Sequence, residues 1–138
     1  MTVREVPHGS PLYARAVELR RRVLRQPLGL DFSQEELDAE HAQRHFVLLD
    51  GDDVIACLSY VPGPAGAKMR QVAVDPDQQG KGFGKRLVLE TEKLFSPGEV
   101  ELHARQTAVP FYQSLGYQVV GERFEEVGLS HFKMRKAV

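Results

Sequence analysis

The residues best suited to chemistry form one octapeptide, Gln79-Gly80-Lys81-Gly82-Phe83-Gly84-Lys85-Arg86. Glycines at alternate positions let the backbone approach a ligand closely and turn its amide N–H groups outward. A helix beginning just after them adds a partial positive charge. The combination suits a phosphate, and Lys81, Lys85 and Arg86 add mobile charge. Common nucleotide loops do not fit. In a Walker A register Gln79 replaces the first glycine and Arg86 the hydroxyl residue. The dinucleotide spacing meets Lys85 when counted from Gly80 and Leu87 when counted from Gly82. A kinase loop fails at the same third glycine.

A second group of polar residues lies downstream. His103, Arg105 and Tyr112 fall within a segment whose Phe111, Tyr112 and Leu115, read alone, are the core contacts of a short helix. Glu126 and His131 follow on a closing hairpin, where they are candidate bases or simply structural caps. His41 and His45 are four apart, but Ala42-Gln43-Arg44 lacks the glutamate of a zinc-protease helix and His45 begins a strand, so no metal site is expected. Cys57 is the one cysteine and cannot form an internal disulfide. Between apolar neighbours, it is expected to be buried and inert.

These residues must be positioned by alternating short elements. Residues 3–7 read as a strand and 10–25 as a helix, with Leu12, Ala16, Leu19 and Val23 inward and Arg15, Arg20, Arg21, Arg22 and Arg25 on a solvated face. Ser33 and Glu36 form a capping-box pattern for a helix over 34–41. Strands are expected over 45–50 and 54–61 around Gly51-Asp52-Asp53, and over 68–74 with Arg70, Val72 and Val74 on one face. After the glycine loop, Phe83, Leu87, Val88, Thr91, Leu94 and Phe95 mark a helix's buried stripe. A strand over 100–104 leads to a helix capped by Thr107 and ended by Gly116. The last strands are expected over 117–121 and 131–135, joined by 122–130.

Within this frame Gln79, Gly82 and Gly84 satisfy Gln/Arg-x-x-Gly-x-Gly/Ala, which resembles the acetyl-CoA loop of the GCN5-related N-acetyltransferase (GNAT) family. Arg70-Gln71-Val72-Ala73-Val74-Asp75-Pro76 is similar to that family's fourth strand, and the aromatic pair with Leu115-Gly116-Tyr117 to its second signature. The resemblance implies an α/β fold with a twisted mixed sheet of six or seven strands, helices on both faces and a splay at the central strand. It further implies that the loop of Gln79, Gly80, Lys81, Gly82, Phe83, Gly84 and Lys85 holds the pyrophosphate of coenzyme A on its amides, and that Val72, Ala73 and Val74 align its arm. The Val72 amide would face the thioester carbonyl as an oxyanion donor. Tyr112 would protonate the departing thiolate, a reasonable match between a phenol of pKa ~10 and a thiol of ~8.5.

Many family members carry Asn where this chain has Arg105, and an arginine cannot accept a hydrogen bond. Arg105 is therefore a candidate for a CoA phosphate or an acidic substrate. The ending Phe124-x-Glu126-x-Gly128-x-x-His131-x-x-Met134 is similar to the ElaA-like branch. Its members leave the acceptor open, as a small-molecule or peptide amine, and homodimers are common among them. A CoA-binding module without turnover is the other reading that the loop allows.

The 138 residues, 19 acidic and 18 basic, are consistent with a single domain over 1–138. Near-neutrality argues against bulk nucleic acid or an anionic membrane as partner, since both reward excess Lys and Arg. No apolar run approaches the ~20 residues of a membrane span, no signal-peptide pattern is visible, and a cytoplasmic location is expected.

Overall fold

Both faces of the central strands are apolar, and this decides the layering. In the computed structural model, which describes residues 1–138, strands β1 (Thr2–Val6), β2 (Arg44–Asp50), β3 (Asp53–Gly63), β4 (Gly66–Val74), β5 (Glu99–Arg105), β6 (Gln118–Glu126) and β7 (Leu129–Ala137) form one sheet in the order β1-β2-β3-β4-β5-β7-β6. On β2, Phe46 and Leu48 enter one core while Val47 and Leu49 enter the other. Helix α1 (Pro11–Arg20) covers the second face through Tyr13, Ala16, Val17 and Leu19. Helices α3 (Phe83–Glu92) and α4 (Val109–Ser114) cover the first through Leu87, Val88 and Tyr112. The short α2 (Gln34–Asp38) has the expected capping box, with Ser33 and Glu36 each accepting from the other's backbone N–H. No helix is long and apolar enough to cross a membrane.

The sheet opens at its centre. β4 and β5 are the one parallel pair, and their pairing runs only from Gly66↔Glu99 to Met69↔Leu102. Beyond Met69, β4 continues along β3 to Ala56↔Val74 and β5 continues along β7 to Arg105↔His131. A bulge coincides with the parting: the β3–β4 register shifts between Cys57 and Ser59, and Gln71 adopts φ 58°. The extra residue changes which face each side chain takes. Ala67 and Met69 lie in the core under α3, yet Ala73 lies in the core under α1, and Val72 and Val74 turn to the α3 side. The expected shared face for Arg70, Val72 and Val74 is therefore wrong, because a strict period of two cannot register an inserted residue.

Other boundaries also differ from expectation. The first helix is α-helical only to Arg20 and continues as a π-helical turn over Arg21–Arg25. Arg20 is not solvated: 1% exposed, it pairs through Nη1 and Nη2 with Glu40 Oε1 and Oε2 at 2.8 and 2.6 Å. Tyr13 donates to the same carboxylate at 2.8 Å, and the Phe32 ring lies 4.6 Å beneath the guanidinium. Thr107 does not cap α4, whose entry is a 3₁₀ turn over Gln106–Ala108 with Pro110 in its first turn. Leu94 is exposed because α3 has already given way to a 3₁₀ turn. Residues 122–130 are mostly strand, since β6 and β7 extend to a tight turn at Val127-Gly128.

Cys57 is buried as expected, and burial pushes its thiol up to about 12. His45 lies in β2, where its ring donates through Nε2 to the Glu40 carbonyl at 3.1 Å and Nδ1 accepts from the Ser59 hydroxyl at 2.7 Å.

Two outcomes follow from this packing. Arg20→Met leaves the Glu40 carboxylate buried without its cation and is expected to cost about 3–5 kcal/mol in denaturant unfolding. Arg20→Met with Glu40→Leu should recover most of that loss, and a double variant no more stable than Arg20→Met would contradict the pairing. The pH dependence has a definite sign. Burial opposes ionisation of Glu40, but the Arg20 and Tyr13 hydrogen bonds outweigh it and hold its carboxyl below the usual glutamate range. Burial holds His45 below 6.5. Both folded values are depressed, so the folded state binds fewer protons than the unfolded chain, and the stability present above each unfolded value is lost as pH falls through the folded one. Tm should be flat between about pH 6.5 and 8, fall below that window, and fall more steeply below about pH 4.5. His45→Asn should remove the upper part of that fall.

Candidate active site

The parting strands create two adjoining cavities. One, about 540 Å³, is lined by Val72, Ala73 and Val74 of β4, by Gln79, Gly80, Gly82, Phe83, Gly84 and Lys85, and by Phe111 and Tyr112 of α4. The other, about 380 Å³, is lined by Arg25, Lys68, Arg70 and Gln71 and by His103, Arg105, Glu126 and His131. Val72, Ala108 and Tyr112 line both. Tyr112 thus stands where the two spaces meet.

The glycine loop is built for an anion. Gly82 is the N-cap of α3 at φ 84°, and no side chain caps the helix, so the first-turn amides are left without a side-chain acceptor. Gly80 has φ 78°, which a β-branched residue would hold only under strain. Gly84 serves packing instead: a Cβ there would lie 3.1 Å from Val74 Cγ2 and 3.4 Å from Phe111 Cζ. Gln79 does not reach outward, because its Nε2 donates to the Val74 carbonyl at 3.1 Å and ties the loop to the end of β4. Lys81 donates to Gln78 Oε1 at 3.2 Å and is not among the residues lining the cavity. These features fit a pyrophosphate on backbone amides with a lysine at its edge.

The edge of β4 from Arg70 to Val74 has no strand beside it on the β5 side, so main-chain groups there face the opening. Tyr112 is 7% exposed, and burial pushes its phenol up, so the hydroxyl keeps its proton at neutral pH. In the smaller cavity Glu126 accepts from His103 Nδ1 at 3.1 Å and lies 3.6 Å from His131 Nε2. His131 Nδ1 donates to the Leu129 carbonyl at 2.9 Å, which leaves Nε2 as the proton acceptor of a neutral ring. Burial works to raise the Glu126 carboxyl, but the His103 hydrogen bond, with positive charge on His103 and Lys68 and on His131 whenever it is protonated, prevails and holds it below the usual range.

Arg105 lines the smaller cavity and not the loop cavity, and its Nη2 donates to the Leu24 carbonyl at 3.0 Å. Sequence reasoning missed Arg25, Arg70 and Gln71 as lining residues. The chain's two non-glycine residues of positive φ, Gln71 at 58° and Val127 at 47°, both line this cavity, and no local sequence pattern marks them.

Comparison with known proteins agrees with this geometry. The sequence profile of the acetyltransferase (GNAT) domain matches residues 26–138. YjcF, an uncharacterized N-acetyltransferase of Bacillus subtilis (strain 168), is 28% identical over 109 residues, covering 75% of this chain and 78% of that protein. The crystal structure of Escherichia coli ElaA superposes with a TM-score of 0.82 at 24% identity, over 99% of each chain. An aminoglycoside 6'-N-acetyltransferase complexed with coenzyme A superposes with a TM-score of 0.80 at 18% identity, over 99% of this chain and 97% of its own. The seven-stranded sheet parted between β4 and β5 is the fold of these acyltransferases. With the profile covering most of its length, the chain belongs to the acetyltransferase (GNAT) family and is an acyltransferase.

Proposed function

We propose that the protein transfers an acetyl group from acetyl-CoA directly to a primary amine, with both substrates bound at once. The observation that carries this reading is the meeting of a phosphate-suited cavity and a polar cavity at Val72, Ala108 and Tyr112. A thioester supplies an activated acyl carbon and a good leaving group. The chain's residues do the rest. Amides of residues 80–85 hold the pyrophosphate, and the free edge of β4 orients the pantetheine arm, with the Val72 amide donating to the thioester oxygen as charge develops there.

The amine reaches the carbonyl carbon from the smaller cavity. Its nitrogen lone pair forms the C–N bond while the C–S bond breaks with its pair on sulfur. Tyr112 gives that sulfur its hydroxyl proton and regains one from solvent. An aliphatic ammonium is not a nucleophile, so the amine enters the step neutral, having given one proton to solvent, and a second proton must leave the nitrogen as the C–N bond forms. His131 Nε2 takes it, and the adjacent Glu126 carboxylate, held by His103, stabilises the imidazolium.

Acetyl-CoA at millimolar concentration should raise Tm by several degrees through linkage. Gly82→Val should abolish that shift, and its survival would remove the loop from the binding site. In an assay of CoA thiol release across an amine panel, Tyr112→Phe should lower kcat about a hundredfold while the acetyl-CoA melting shift is kept. Unchanged turnover would remove the acid role, and binding without turnover on any amine would contradict catalysis. His131→Gln should lower kcat and remove the base limb of the pH–rate profile, and an unaltered profile would exclude His131.

A further inference from the structure

The smaller cavity has a charge imbalance that acetyl transfer to a generic amine does not require. Lys68, Arg25, Arg70 and Arg105 line it, and Glu126 is the one carboxylate among its lining residues. The arginines come from three separate elements, the π-helical turn after α1, β4 just past its parting from β5, and the end of β5. Arg20, Arg21 and Arg44 are satisfied by carboxylates, whereas the side chains of Arg25 and Arg70 make no hydrogen bond or ion pair within the protein. Arg105 spends Nη2 on a carbonyl and has no carboxylate partner.

Arg25 is nevertheless held in place. Its guanidinium lies 4.5 Å above the Phe32 ring, whose centroid is also 4.6 Å from Arg20, so the plane is fixed while its N–H groups stay available. Burial disfavours its charge first of all; Glu36 favours it, and Arg105, Arg20 and Arg70 add repulsion. Arg25 and Arg105 are half-buried and Arg70 is exposed beside them; like charges gathered in a concave site are costly unless an anion completes them.

We propose that the acceptor is a small amine that also carries an anionic oxygen group, a carboxylate or a phosphate monoester, bound by Arg25, Arg70 and Arg105. This rests on the acetyl-transfer reading above. Guanidinium forks match either oxyanion with paired, charge-assisted hydrogen bonds. A single carboxylate, Glu126, between His103 and His131 suits one amino group and its departing proton. Polycationic amines are disfavoured, because a second ammonium would meet the arginines.

The test uses the purified protein at saturating acetyl-CoA, with γ-aminobutyrate, O-phosphoethanolamine, n-butylamine and putrescine compared by CoA thiol release. At least one anionic amine should exceed n-butylamine about tenfold or more in kcat/KM, and putrescine should be the poorest. Whether γ-aminobutyrate or O-phosphoethanolamine leads assigns the oxyanion. Arg70→Gln combined with Arg105→Gln should raise KM for that amine about tenfold and bring the anionic-to-neutral ratio close to one. Equal or better use of n-butylamine or putrescine overturns the inference, as does a ratio that survives in the double variant. It also falls if no amine turns over although acetyl-CoA still raises Tm. Loss of the acetyl-CoA shift itself instead removes the acetyl-transfer reading on which it rests.

Discussion

The parting of β4 from β5 after Met69 and Leu102 is the constraint on which the rest of the molecule depends. Two parallel strands that stayed paired would leave no free backbone edge, no cleft and no contact between the two cavities. Pairing begins where it must, at Gly66, since a Cβ there would collide with the Glu99 carbonyl. It ends where the bulge at Gln71 re-aims β4 toward the glycine loop. The bulge places Ala73 in one core and Val72 and Val74 against the other, so packing on both faces locks a conformation that would be strained in isolation. Sheet geometry and site geometry are therefore one feature.

Around that opening the charge is arranged locally while the chain as a whole is nearly neutral. Positive potential for a phosphate comes from the uncapped start of α3 and from Lys85, and positive potential for an acceptor comes from arginines on three other elements. The one fully buried arginine, Arg20, is instead matched by Glu40 and anchors α1 to the segment entering β2. Its partner's backbone carbonyl in turn accepts from His45. Rigidity on that side of the sheet supports the π-helical turn, which sends Val23 to the loop cavity and Leu24 and Arg25 to the polar one.

Much of this was legible in the sequence because it is local. Gly80 and Gly82 encode their own backbone geometry, the Ser33 and Glu36 capping box is contained in four residues, and the unbroken apolar run Phe46 to Leu49 in β2 announces a strand buried on both faces. What escaped is long-range or depends on an irregularity. Arg20 reads as one more surface arginine until Glu40, twenty residues away, is folded against it. Arg70 was misplaced because the bulge at Gln71 breaks the strand period, and Arg25 because a π-helical turn breaks the helical one. The turn at Val127 was hidden because valine rarely takes positive φ. The irregular residues cluster at the polar cavity, which is where local preference yields to function.

A crystal structure of the protein with coenzyme A tests the central claim most directly. The pyrophosphate should lie on the amides of residues 80–85, the pantetheine arm along Val72 to Val74, and the thiol within about 3.5 Å of the Tyr112 hydroxyl, facing the cavity of Arg25, Arg70 and Arg105. A coenzyme bound away from the loop, or a sulfur beyond hydrogen-bonding reach of Tyr112, would contradict it.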